Sequence, residues 1–272
     1  MRSETRALLN SLLAAPLLVA DLPEAAALDR ALLGGAVPEE GALNFDQKLG
    51  HLYEDALECL LDASARLERI ASHVQVVNQM GVTLGELDFV VYDRLQQTHV
   101  HLELAVKFYL ATQTPKGWVY PGPDPRDNWQ RKLERLRTHQ LLLSQRPEVR
   151  RLLKDRFNID SVQVRQLIYG RLFSPLSGVD CPLPEGIAPS AQRGKWLYVR
   201  EWQSCFSGLD EVRLVPKALW PVVVTADLKA ELRQVEVPEL LSFGAERCTM
   251  FVLPDAEEPF FLVPDGWHAQ GS

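Results

Sequence analysis

Cysteine is scarce and scattered in this chain: Cys59, Cys181, Cys205 and Cys248 are the only four among 272 residues, and no Cys-x-x-Cys pair occurs. That spacing excludes a zinc ribbon and a compact disulfide framework, and fits isolated reduced thiols in a cytoplasmic protein. No run approaches the roughly twenty apolar residues that cross a bilayer, so no membrane partner is expected. Arg2 and Arg6 precede an apolar segment from Ala7 to Ala20, but Asn10 and Pro16 interrupt it, and leucines at 8, 9, 12, 13 and 17 recur at helical spacing. A helix packed on the body is the expectation there, rather than a secretory signal. There is no internal repeat, phosphate-binding Gly-x-x-x-x-Gly-Lys loop, Gly-x-Gly-x-x-Gly turn or Gly-x-Ser-x-Gly elbow, which leaves nucleotide-triphosphate, dinucleotide and serine-hydrolase chemistry without support.

A net charge of −7 argues against indiscriminate binding to nucleic acid, but the charge is uneven. From Arg126 to Arg156 ten basic residues face four acidic ones, a local +6 that leaves −13 for the remainder. Such a patch suits a phosphate backbone, because each contact releases counterions. A solvated helix face laced with i,i+4 pairs would have the same composition.

The richest chemistry lies between Glu86 and Lys107. Leu87-Asp88-Phe89-Val90-Val91-Tyr92 and Val100 to Tyr109 are rich in β-branched and aromatic residues, and the polar run Asp93 to Thr98 separates them. This pattern predicts a β-hairpin. Alternation on a strand gives His101, Glu103, Ala105 and Lys107 one face. With Asp88 on the neighbouring strand, two carboxylates and an ammonium converge. Carboxylate oxygens hold a hard cation such as magnesium, which polarises a phosphoryl oxygen and lowers the pKa of bound water. Charges on the solvated face of a half-buried hairpin would look the same. His99, His101 and Glu103 also alternate, a short pattern open to zinc or non-haem iron.

Upstream, Phe45 to Leu61 reads as an amphipathic helix with a stripe through Phe45, Leu49, Leu52, Tyr53, Ala56, Leu57 and Leu60, and Glu54 at its border. Helix acid, strand acid, then strand acid with lysine is the order of the PD-(D/E)XK nuclease superfamily. The segments Gln47 to Glu54, Leu87-Asp88-Phe89 and His101 to Tyr109 resemble a narrower bacterial family, domain of unknown function 1853. Lys132-Leu133-Glu134-Arg135-Leu136, His139-Gln140-Leu141, Tyr169-Gly170-Arg171-Leu172-Phe173 and Arg193-Gly194-Lys195-Trp196 look like further landmarks of it.

The resemblance implies a restriction-endonuclease-like α/β fold, a mixed sheet flanked by helices, acting as a magnesium- or manganese-dependent nuclease on DNA before RNA. It makes Asp88 and Glu103 metal ligands, Lys107 the catalytic lysine and Glu54 the supporting helix acid. Superfamily members place the lysine two residues after the acid; here Ala105 stands there and Lys107 sits roughly 6.6 Å further along at about 3.3 Å per residue. That departure keeps a second reading open, a nuclease-like binding or interaction module without turnover. Lys132, Arg135, His139 and Gln140 are candidate nucleic-acid contacts, the first three by a spacing that shares one helix face.

The expected organisation is a helical extension at 1–40 closing on Gly34-Gly35-Ala36-Val37-Pro38, a nuclease-like core at 41–175, and a C-terminal extension at 176–272. Within the core, a helix through Leu61 to Ile70 continues the first, and a short strand spans Val74 to Val77. Trp118 and Tyr120, in a proline- and glycine-rich loop, either stack on bases or pin the loop to the core. Helices follow at Asn128–Gln145 and Pro147–Phe157, then a strand at Val162–Phe173. A strand pair at Thr249–Leu253 and Phe260–Val263 ends the reading.

Overall fold

The computed structural model describes residues 3–34, 37–38, 43–78, 80–178 and 181–267; Gly35 and Ala36 of the expected glycine-rich boundary lie outside them. In chain order the elements are α1 (Ser3–Ala14), β1 (Ala26–Ala27), α2 (Leu49–Ala63), β2 (Leu67–Val77), β3 (Thr83–Asp93), β4 (Thr98–Leu110), β5 (Thr112–Thr114), β6 (Gly117–Val119) and α3 (Trp129–Arg135). They continue as α4 (Pro147–Phe157), β7 (Gln163–Pro175), β8 (Gln192–Tyr198), α5 (Trp202–Cys205), β9 (Glu211–Val215), α6 (Ala226–Glu231), β10 (Gln234–Glu236), α7 (Val237–Glu246), β11 (Thr249–Val252) and β12 (Pro259–Val263). The architecture is mixed α/β, a large mixed sheet with flanking helices, as the sequence leads one to expect. Two discontinuous compact units share the chain: 1–106 with 133–169 and 186–188, and 107–132 with 170–185 and 189–272.

In the first unit, α2 buries Leu52, Tyr53, Ala56, Leu57 and Leu60 of the anticipated stripe, together with Leu61; Leu49 is half-buried, and Phe45 lies in a turn before the helix starts at Leu49. The helix does not continue to Ile70. It stops at Ala63 because the Ser64 hydroxyl accepts the N–H groups of Arg66 and Leu67 at 3.2 and 3.0 Å, turning the chain into β2. Ser and Thr side chains end helices in this way by offering the backbone another partner. The strand expected at Val74–Val77 is therefore eleven residues long, pairing antiparallel with β3 from Leu67↔Asp93 to Val77↔Thr83. β3 in turn pairs antiparallel with β4 from Asp93↔Thr98 to Phe89↔Leu102, the predicted hairpin. Its turn is fixed by Asp93, buried, which accepts from Leu95 N and Gln96 N at 2.9 and 3.0 Å and from the Arg66 guanidinium at 3.0 Å.

β2 and β3 pack Val74, Val76, Leu87 and Val90 against Leu143, Val149, Leu153 and Ile159. α4 starts with Pro147 in its first turn, where the missing N–H costs nothing, and ends at Asn158 in the left-handed region. α1 buries Leu8, Leu9 and Leu12, and its carbonyl at Leu12 accepts from the Tyr169 hydroxyl at 2.6 Å.

In the second unit the later part of β7 pairs parallel with β8, and β8 parallel with β12. β12 and β11 form the expected antiparallel pair, followed by β9 and β10. A core of Leu197, Trp202, Val212, Val235, Leu240, Phe251, Phe260 and Leu262 lies against this section. The landmark Tyr169 to Phe173 has a packing reason. A Cβ on Gly170, whose φ is +139°, would lie 1.6 Å from the carbonyl oxygen of Lys107, so only glycine admits this approach of the two backbones. Arg171, buried, donates to Arg193 O at 2.7 Å and to Gln192 Oε1 at 2.6 Å. Among the described residues, no helix is long and apolar enough to cross a membrane.

Candidate nuclease-like site

β4 carries the candidate residues because its β-branched and aromatic run holds an extended conformation across thirteen residues. Asp88, half-buried on β3, accepts a hydrogen bond from the backbone N–H of Leu104 at 2.9 Å. Paired residues end at Phe89↔Leu102, so the carboxylate takes up an N–H just beyond that pairing, on the residue that follows Glu103. Through that N–H, Asp88 reaches the stretch of β4 that carries Glu103.

Glu103 is only 2% exposed, not on a solvated face. Its Oε1 accepts from the side-chain amide of Gln140. Two residues back, His101 is fully buried; its Nδ1 lies 3.2 Å from the Ser144 hydroxyl and its Nε2 lies 3.9 Å from Glu103 Oε2. That Nε2 has no hydrogen-bond partner among the described residues. Burial lowers the His101 pKa to about 4, so the ring is neutral at neutral pH.

Gln140 reaches Glu103 from a π-helical turn, Leu136–Gln140, closed by Leu141 N on Leu136 O at 3.0 Å. This extra residue per turn replaces the single helix expected over Asn128–Gln145, and it alters the face that spacing predicts after Arg135. Arg135 and His139 are exposed, with His139 Nδ1 3.3 Å from an Arg146 nitrogen, Lys132 is half-buried, and Gln140 turns inward.

Lys107 belongs to the second unit, where its ammonium is 2.9 Å from Asp127 Oδ2, each side chain about one-third exposed. Tyr109, two residues on, is buried, and its phenol pKa is pushed far up by burial and then by the Asp127 charge. Glu54, on α2 in the first unit, has its carboxylate 2.8 Å from His51 Nδ1 and 4.0 Å from His73 Nδ1. His73 lies in β2 with a left-handed φ of +51° and is 3.4 Å from Glu86.

Among the described residues no group of three or more His, Cys, Asp and Glu side chains is placed to hold a metal, so His99, His101 and Glu103 do not form a triad. His99 packs instead on Tyr92, ring centroids 4.8 Å apart. Tyr120 is 4% exposed with its hydroxyl on Pro182 O at 2.8 Å, which pins its loop and leaves no face for a base. Sequence reasoning missed Ser144 and Asp127. Asp127 was legible only as one acid in a basic segment, and Ser144 gave no signal.

The fold and site define a mixed α/β chain with two acids, Asp88 and Glu103, on the β3–β4 hairpin. The chain matches the family described as Domain of unknown function (DUF1853) over residues 6–248, and it belongs to that family. No curated protein and no solved structure matches it.

Proposed function

We propose that this protein is a divalent-metal-dependent phosphodiesterase of PD-(D/E)XK type that cleaves nucleic acid, DNA before RNA, in the cytoplasm. The observation that carries the reading is the Asp88 carboxylate on the N–H of Leu104, the residue after Glu103. The order of the acids supports it: Glu54 on α2, Asp88 on β3, and Glu103 with Lys107 on β4. Two carboxylates suit magnesium or manganese, which keep several waters and need no all-protein cage. The buried His101 Nε2 without a hydrogen-bond partner beside Glu103 adds a polar atom that such a centre accommodates.

Asp88 and Glu103 would hold the cation, which when bound polarises a phosphoryl oxygen and activates water. Lys107 orients the attacking water or offsets the charge that develops on the phosphate. Glu54 supports the site from α2. Arg135 and His139, exposed, and Lys132 contact phosphates, and Gln140 serves Glu103 instead.

A second reading, a nuclease-like binding module without turnover, is favoured by the pairing of Lys107 with Asp127 and by the burial of Glu103. Incubating the protein with single-stranded and duplex DNA and RNA, with magnesium or manganese, separates the two. Cleavage by wild type that is lost in Asp88→Ala and Lys107→Ala supports the enzyme. Salt-sensitive binding without metal-dependent cleavage supports the module.

A further inference from the structure

The second unit contains a cavity of about 420 Å³ that the proposed chemistry does not use. Its walls come from the end of β9 (Leu214, Val215), the turn through Pro216, Lys217 and Trp220, Phe243 on α7, and Met250 on β11, with Pro123 from the 121–125 loop. Its size is that of small-ligand sites, roughly 300–1,000 Å³, which are mostly apolar with a few placed polar groups.

Three charged residues line it: Lys217, Arg247 and Asp124. Asp124 accepts three hydrogen bonds from the Arg126 guanidinium at 2.7, 3.0 and 3.2 Å, and one from the Arg126 N–H at 3.0 Å, which keep its carboxyl at about 2 and its charge answered. Lys217 and Arg247 are exposed and meet no carboxylate among the described residues; the Lys217 ammonium lies 5.8 Å from the Trp220 ring centre. The cavity therefore offers apolar walls and two positive charges that no carboxylate among the described residues answers. Cys248, whose thiol contacts Pro123 O at 3.5 Å, is pushed up to about 12 by burial, which disfavours its thiolate.

Trp220 is 7% exposed and already carries Lys217 over its ring, which leaves little aromatic face to stack a nucleobase. The remaining walls are mainly aliphatic, with one adaptable methionine. We propose that this cavity binds an aliphatic carboxylate reversibly, its chain against Leu214, Val215, Phe243 and Met250 and its carboxylate between Lys217 and Arg247.

Calorimetric titration of the full chain with octanoate, octanol, octylammonium and adenosine monophosphate tests this. Octanoate is expected to bind about tenfold or more tighter than octanol, a ratio equal to one favourable charge contact of about 1.4 kcal/mol. Octylammonium and the nucleotide are expected to give no heat. Lys217→Gln and Arg247→Gln, both at exposed positions, should each weaken octanoate severalfold and leave octanol unchanged. Equal binding of octanoate and octanol, tighter binding of the nucleotide, or octanoate affinity untouched by both variants would overturn the assignment.

Discussion

Replacing Gly170 by alanine should unfold this protein far more readily than the loss of one glycine suggests. The new Cβ would lie 1.6 Å from Lys107 O, 2.7 Å from its carbonyl carbon and 3.1 Å from its nitrogen. All three are backbone atoms, so no side-chain rotation relieves them, and β4 must move away from β7 here. Gly208 supplies the control, because its φ of +83° is strained for alanine but nothing lies within 4 Å of the added carbon. The conformational strain alone costs about 1–2 kcal/mol. At Gly170, lost strand hydrogen bonds and packing raise the cost to roughly 3–5 kcal/mol, a large share of the about 5–15 kcal/mol that holds a domain together. With a urea dependence of about 3 kcal/mol/M, the unfolding midpoint should fall by roughly 1–1.7 M for Gly170→Ala and by roughly 0.3–0.7 M for Gly208→Ala. Equal shifts in the two variants would refute the close approach at Lys107.

Asp93→Asn should destabilise the protein by about 2 kcal/mol at neutral pH, read from urea midpoints, since it breaks a buried pairing with Arg66. The Arg66 guanidinium, and then the turn N–H groups, lower the folded Asp93 pKa below its ordinary 3.8, so this stabilisation is present above that value and lost as pH falls further. The penalty of the substitution should therefore vanish in strong acid. Lys107→Met should change stability by less than about 1 kcal/mol, because a one-third-exposed ion pair contributes little, yet abolish cleavage. Gln140→Ala, which leaves a buried Glu103 oxygen without its amide, should cost about 1–3 kcal/mol in thermal unfolding and weaken manganese binding.

The hairpin, the α2 stripe and α4 were legible because local signals agree with tertiary packing: alternating β-branched residues, a 3.6-residue apolar period, and Pro147 at a helix start. β2 was misread where helical and strand patterns overlap, since Ser64 decides the break with a hydroxyl that reaches two backbone groups. The parallel pairing of β8 with β12, Lys195 opposite Phe260, joins residues far apart in sequence and left no local mark. At the site, the positions of Asp88 and Glu103 followed from the hairpin register, whereas the burial of Glu103 did not. That depends on a π-helical turn that brings Gln140 inward, and a spacing of three and four residues cannot reveal it. The partner of Lys107 was hidden for a similar reason, because Asp127 lies in a loop twenty residues away.

Manganese binding, followed by calorimetry on wild type, Asp88→Asn and Glu103→Gln, tests the central claim most directly. The account predicts a saturable site on the folded wild-type chain that both substitutions remove while thermal unfolding shows each variant still folded. Manganese binding of equal strength in all three proteins, or none in the wild type, would contradict a shared cation at Asp88 and Glu103.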